Sequence, residues 1–205
     1  PMVSENPDSW SVMWDPKYSG EILTFNNSRD AFGVAQYLLG YDVNSTNPDE
    51  WRAAEEKLKE QKPLIQSYVM DEVFNKMEAG EAAMAPYYAG DYLTMKQEND
   101  DLAFVYPKEG TNKFVDVMCI PSSSENKKAA ELFINYMCEP EVALHNANYL
   151  GYLCPVTAVL SDDRYVNKDN EVLYPKQEVK TQFFHNLDQD TLDLLSKLWE
   201  DLKLA

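Results

Sequence analysis

The stretch WDPKYSGEILTFNNSRDAFGVAQYLLG, residues 14–40, decides the fold. Trp14-Asp15-Pro16-Lys17 reads as a turn, and Gly20-Glu21-Ile22-Leu23-Thr24-Phe25 as a strand. Asn26-Asn27-Ser28 then offers side-chain oxygens to the N–H groups that a helix start leaves exposed. Phe32, Ala35, Leu38 and Leu39 recur at helical spacing, and Gly40 stands where a helix ends in the left-handed conformation. A strand that feeds directly into a helix is the repeating half of an α/β protein.

Working outward, the same alternation continues. Asn47-Pro48 opens a second helix as N-cap and first helical residue, burying Trp51, Ala54 and Leu58 to about Gln61. Pro63 to Tyr68 is a short extended piece. Asp71 to Ala79 is a helix closed by Gly80. Glu81 to Tyr88 is expected as a strand rich in small residues, and Asp91 to Glu98 as a short helix. Leu102 to Tyr106 is expected as a strand stopped by Pro107, and Phe114 to Ile120 as another stopped by Pro121. Asn126 to Cys138 is a helix with Ala129, Leu132, Phe133, Tyr136 and Met137 on one side. Glu139-Pro140 starts another, ending near Gly151. Residues 152–180 are polar and irregular, and a last helix over about Asp190 to Leu202 turns Leu192, Leu195, Leu198, Trp199 and Leu202 inward. The first eleven residues read as a loose leader. Strands alternating with helices in this way imply a mostly parallel, helix-covered sheet.

Composition narrows the function. Hydrophobic residues make up 44% of the 205, which is too apolar for a disordered tail. The formal net charge is −17, so a basic nucleic-acid footprint is excluded and cationic ligands are favoured. GxGxxG and GxxxxGK[ST] phosphate loops are both missing. No apolar run reaches the length of a membrane span. Pro1-Met2-Val3-Ser4 carries no basic n-region of a signal peptide, and an opening Pro1 is expected of a processed product or a fragment. Cys119, Cys138 and Cys154 make no metal or redox spacing, and His145 and His185 are too scattered for a zinc site. No cofactor and no metal are expected.

Several segments together resemble the solute-binding proteins of polyamine ABC transporters. They are WDPKYSGEIL (14–23), NNSRDAFGVAQYLLGYDVNST (26–46), GEAAMAPYYAGD (80–91), VYPKEGTNKFVDVMCIP (105–121), NKKAAELFINYMCEPEVA (126–143) and NANYLGY (146–152). The resemblance implies a type II periplasmic-binding-protein-like α/β fold: a three-layer αβα lobe with a mixed sheet, plus a partial second lobe. By resemblance, residues 12–115 and 180–205 form the family's second lobe and 116–178 part of its first. Only the distal part of the family's chain is matched, so a fragment is expected, with an apolar face that needs a missing chain or a dimer mate. The implied role is an extracytoplasmic protein, periplasmic or tethered outside the cell membrane. It would capture putrescine or spermidine between lobes that close like a hinge and pass it to a cognate permease.

A polyamine site needs carboxylates for each ammonium and aromatic faces for the methylene stem. The resemblance assigns amine-binding acids to Asp30, Asp91 and Asp116, and cleft aromatics to Tyr88, Phe114 and Tyr152. Phe114 and Asp116, two apart, share a strand face. Each has a plainer competing role: helix-dipole complement for Asp30, N-cap for Asp91, solvent-facing strand residue for Asp116, packed loop tyrosine for Tyr152. Asn27 replaces an acid of spermidine-type members, which points to a diamine or to little discrimination. His185 falls where some members carry Gln, and a cationic His would repel an amine.

Two other readings compete. The adjacent tyrosines Tyr87-Tyr88 invite comparison with ferric-ion-binding proteins of the same superfamily, whose phenolates bind hard trivalent iron. Paired carboxylates could serve a hydrolase, but GxSxG, HExxH and Cys/His nucleophile patterns are missing, so no enzyme is expected. An acidic interaction module is opposed only by the resemblance itself.

Overall fold

The structure, a computed structural model, describes residues 2–3 and 7–205; the rest of the expected leader, residues 1 and 4–6, lies outside them. The chain divides into two compact units. The first comprises residues 1–87, 95–114 and 178–205, and the second 88–94 and 115–177.

The first unit is built around β1 (Ile22–Phe25), buried along its whole length. Ile-Leu-Thr-Phe has no polar face to offer water, so both faces of the strand must be covered. It runs through α1 (Ser28–Leu39) and α2 (Pro48–Gln61) to β2 (Ile65–Val69), its parallel partner, with Thr24 opposite Tyr68 and Phe25 opposite Val69. Two 3₁₀ turns, Trp10–Trp14 and Pro16–Tyr18, precede β1. The helix ends follow their caps. Asn27 Oδ1 accepts from the N–H groups of Arg29 and Asp30, and Gly40 closes α1 at φ 75°. Asn47 caps α2 ahead of Pro48. The C-terminal α8 (Gln189–Leu204) returns to this unit, capped by Asp188. Its Leu195, Leu198 and Leu202 bury against Phe32, Ala35, Trp51, Ala54 and Leu58. Leu192, expected inward, is exposed instead. Indole N–H groups that this core encloses find carbonyls: Trp51 Nε1 donates to Ser45 and Trp14 Nε1 to Lys57.

Beyond β2 come α3 (Glu72–Glu78), α4 (Ala89–Glu98) and β3 (Thr111–Lys113), which pairs in parallel with β4 (Thr181–Phe183). The start of α4 groups with the second unit and its end with the first.

Three expected strands are corrected. In Glu81–Tyr88 only Met84 joins the sheet, as an isolated parallel bridge to Ile22, and Pro86 has no N–H for a ladder. Leu102–Tyr106 forms no strand. Phe114–Ile120 forms none either: pairing stops at Lys113, because β4 stops at Phe183. Among the described residues the sheets are two parallel pairs rather than one mixed sheet.

The second unit contains α5 (Lys127–Met137), α6 (Pro140–Leu150) and the short α7 (Thr157–Leu160). Its core is small: Ala143, Leu144 and Ala147 of α6 meet Val159 and Tyr165. The expected apolar side of α5 is not buried. Leu132 is 62% exposed, and Phe133 and Tyr136 are comparable. Arg164 ties the chain after α7 back to α6 through Glu141 and to Asp162.

Two outcomes follow. Leu202→Ala should lose about 2–5 kcal/mol in urea unfolding, as a cavity in a packed core does, while Leu132→Ala should stay within about 0.5 kcal/mol. Equal losses would contradict the burial described. Hydrogen bonds from Arg164 hold the Asp162 carboxyl down, to about 2. The folded value lies below the unfolded one, so the pairing stabilises above pH ~4 and is lost as pH falls through about 2. An NMR titration should show that midpoint, and Arg164→Gln should return it towards ~3.9.

Candidate functional site

The eight residues singled out in the sequence fall into two sets, one per unit. Asn27, Asp30, Phe114 and His185 lie in the first unit; Tyr88, Asp91, Asp116 and Tyr152 lie in the second.

In the first unit, the turn from β1 into α1 puts Asn27 and Asp30 together. Asn27 is committed as the helix cap, at 2.9 Å from the Arg29 nitrogen and 3.4 Å from that of Asp30. Asp30 is 8% exposed, in the first turn of α1 where a carboxylate complements the helix dipole. The amide of Asn112, from β3, donates to Asp30 Oδ1 at 3.4 Å. Asn112 was missed in the sequence. The signal was available, because the two-residue period linking Phe114 and Asp116 reaches Asn112 one step earlier. Phe114 follows directly on β3 and is exposed.

Arg29 is the second residue that sequence reasoning missed. Its guanidinium donates to the carbonyl of Val43 at 2.7 Å, to Asn44 Oδ1 and to the carbonyl of His185. It also lies over the Phe184 ring, 4.5 Å from the centroid. Burial lowers the Arg29 pKa, with Asp30, Tyr37 and Asp42 opposing that shift in part. Asn44 completes the lock by accepting from the His185 backbone N–H at 2.7 Å. His185 is therefore held by its main chain, with its residue exposed to solvent. Gly33 makes room for this arrangement: a Cβ there would come within 3.0 Å of Phe184 Cζ.

In the second unit, Tyr88 sits just before α4. Its carbonyl accepts from the Tyr92 N–H, so Tyr88, not Asp91, stands at the N-cap, and Asp91 lies in the first turn. Tyr152 follows Gly151, which ends α6 at φ 71°. The Tyr152 ring lies directly on Gly90: a Cβ at that position would fall 2.3 Å from ring carbons. The structure thus brings Tyr152 against the residue next to Asp91. The Tyr152 carbonyl accepts from Tyr165, whose hydroxyl is pushed up chiefly by burial. Asp116 is exposed in the irregular stretch after β3.

Tyr87 belongs to the first unit, where its ring stacks on Phe25 and meets Phe74 edge-on. That packing disfavours the paired-phenolate reading. No group of three His, Cys, Asp or Glu among the described residues is placed to hold a metal ion. No helix among them is long and apolar enough to cross a membrane.

Gly90→Ala is the sharpest local test. In an ordinary helix this change stabilises by about 1 kcal/mol; here it should destabilise by about 1–3 kcal/mol, the usual overpacking cost. It should also shift the Tyr152 ring resonances. A more stable variant with unchanged Tyr152 signals would contradict the contact.

Comparison with known proteins agrees along most of the chain. The family described as bacterial extracellular solute-binding proteins matches residues 2–173. A spermidine/putrescine-binding periplasmic protein of Escherichia coli is 31% identical over 170 residues, covering 83% of this chain and 49% of the relative. A putrescine/cadaverine-binding protein of Pseudomonas aeruginosa is 25% identical over 211 residues, covering 97% and 60%. Among solved structures, a spermidine/putrescine ABC transporter substrate-binding protein of Streptococcus pneumoniae superposes with a TM-score of 0.83 at 30% identity, covering 99% of this chain and 64% of that one. A putative spermidine/putrescine ABC transporter protein of Listeria monocytogenes gives 0.84 at 31%, covering 98% and 63%. The fold is that of type II periplasmic binding proteins. The chain spans about half the length of the first of these relatives.

Proposed function

The chain belongs to the family of bacterial extracellular solute-binding proteins, and from that premise we propose that it binds polyamines, putrescine or spermidine, as the capture component of an ABC transporter. It works outside the cytoplasm and delivers its cargo to a permease. The first unit corresponds to the family's second lobe and the second unit to part of its first. The role is binding, without catalysis.

One observation carries the reading: the Tyr152 ring seated on Gly90, beside Asp91. An aromatic face next to a carboxylate is what an alkylammonium requires. The ring takes the methylene stem and the carboxylate takes the charge. Asp30, largely withdrawn from water and met by the neutral amide of Asn112, supplies a second acid of the same kind. The net charge of −17 draws cations towards both. Asn27 adds no charge, and its oxygen is engaged by the helix start. This supports a diamine, or little discrimination between the two polyamines.

Because the chain spans about half of a relative such as the E. coli protein, the 205 residues alone are expected to hold an amine at about millimolar Kd, roughly 4 kcal/mol. Saturation-transfer NMR with putrescine and spermidine tests this. Asp91→Asn and Asp30→Asn should each weaken binding about tenfold, or 1.4 kcal/mol. Asp163→Asn, an exposed acid paired with Lys168, should change it less than threefold. Equal affinities for all three variants would overturn the proposal.

A further inference from the structure

The last turn of α8 places an ammonium of the chain itself between two aromatic rings. Lys203 Nζ lies 3.6 Å from the centroid of the Tyr68 ring and 4.9 Å from that of Trp199. The two rings meet edge-to-face at 5.7 Å. Asn26 Oδ1 completes the cage by accepting from Lys203 Nζ at 2.9 Å. All four residues belong to the first unit, and none is among the amine contacts proposed for Asp30 and Asp91.

The walls are fixed independently of their occupant. Tyr68 stands on β2 opposite Thr24. Trp199 packs on the core formed by Phe32, Trp51 and Leu198. Asn26 follows β1, and its N–H donates to the Val69 carbonyl. Asn27 caps α1, so the side chain of its neighbour Asn26 is left to face Lys203. Two ring faces and an amide oxygen, held by two strands and a helix, form a receptor for an alkylammonium.

The occupant is exchangeable. Lys203 is exposed, and its partners in the cage are all uncharged. Burial and the like charge of Lys62 lower its pKa. The end of α8 does not need the Lys203 side chain. Lys62 Nζ already donates to the carbonyls of Leu202 and Lys203, at 2.7 and 3.0 Å, as a cation at a helix C-terminus does. Leu202, 0% exposed, anchors the same turn in the core.

A lysine side chain is a four-carbon stem ending in an ammonium, the chemistry of n-butylammonium. We propose that the Tyr68–Trp199–Asn26 cage is a second alkylammonium site, occupied by Lys203, which a free primary amine enters by displacing that side chain. The tethered lysine acts as a local competitor at an effective concentration on the order of millimolar. Displacement therefore requires free amine in that range, and it releases the end of Lys203 to solvent.

Protein-observed NMR on the full 205-residue chain tests this, with n-butylammonium as the probe and 1-butanol as its uncharged control. In the unaltered chain, the probe at roughly tens of millimolar should shift the Trp199 indole N–H, the Tyr68 ring and the Asn26 side-chain amide together. It should also move the Lys203 Cε resonance to that of a solvated lysine. Butanol should leave all four in place. Lys203→Ala removes the competitor and should tighten binding at the cage about tenfold or more. Tyr68→Leu in that background should abolish it. Silence of the three wall residues overturns the proposal. So does an equal response to butanol, or equal affinity with and without the Lys203 side chain. The first measurement needs no substitution, so a variant that fails to fold leaves it decisive. Asp91→Asn should leave the Trp199 response as it is, which separates the cage from the polyamine reading; loss of that response overturns the cage as a second site.

Discussion

The complete burial of β1 is the constraint from which the first unit follows. Four residues without a polar face must be covered above and below and paired along both edges. Ile22 packs with Met13 and Tyr18 of the two 3₁₀ turns, while α1, α2 and α8 meet in the Phe32–Trp51–Leu198 core of the same unit. One edge is closed by β2, the other by the single bridge at Met84. The end of the same strand sets the entry to α1, and with it the positions of Asn27, Arg29 and Asp30. Sheet, core and the place of Asp30 in the first unit therefore share one origin.

Two glycines show how helices here accept aromatic rings. Gly33 of α1 leaves room for Phe184, on which the Arg29 guanidinium lies, and Gly90 of α4 leaves room for Tyr152. In each case the missing Cβ brings a ring against a helix near its first carboxylate, Asp30 or Asp91. The electrostatics differ. Asp30 follows a fixed, partly buried cation in sequence, and Asp91 follows the glycine on which the Tyr152 ring lies.

What could be read from the sequence tracks how local each signal is. The starts of α1 and α2 were legible because Asn27, Asn47 and Pro48 act within one turn of themselves, and Gly40 ends α1 for the same reason. The stretches 81–88, 102–106 and 114–120 have strand composition, yet a strand exists only with a neighbour at the right edge, and composition does not name that neighbour. The apolar side of α5 was legible as a pattern but not as a core, because burial depends on what covers it. In the site, Asp30 and Asp91 were visible as helix-start acids. The seating of Tyr152 on Gly90, and the hold of Arg29 on the His185 carbonyl, join residues far apart in the chain, and no local pattern announces them.

The central claim is that carboxylates set beside aromatic or buried surfaces in this chain recognise a charged amine. Protein-observed NMR, comparing putrescine with 1,4-butanediol, tests it most directly, since the two share a methylene stem and differ in charge. The account predicts that putrescine shifts the resonances of Gly90, Asp91, Tyr152, Asp30 and Asn112, and that the diol leaves them in place. Equal shifts from the diol, or putrescine shifts spread over exposed acids such as Asp163 and Glu178, would contradict it.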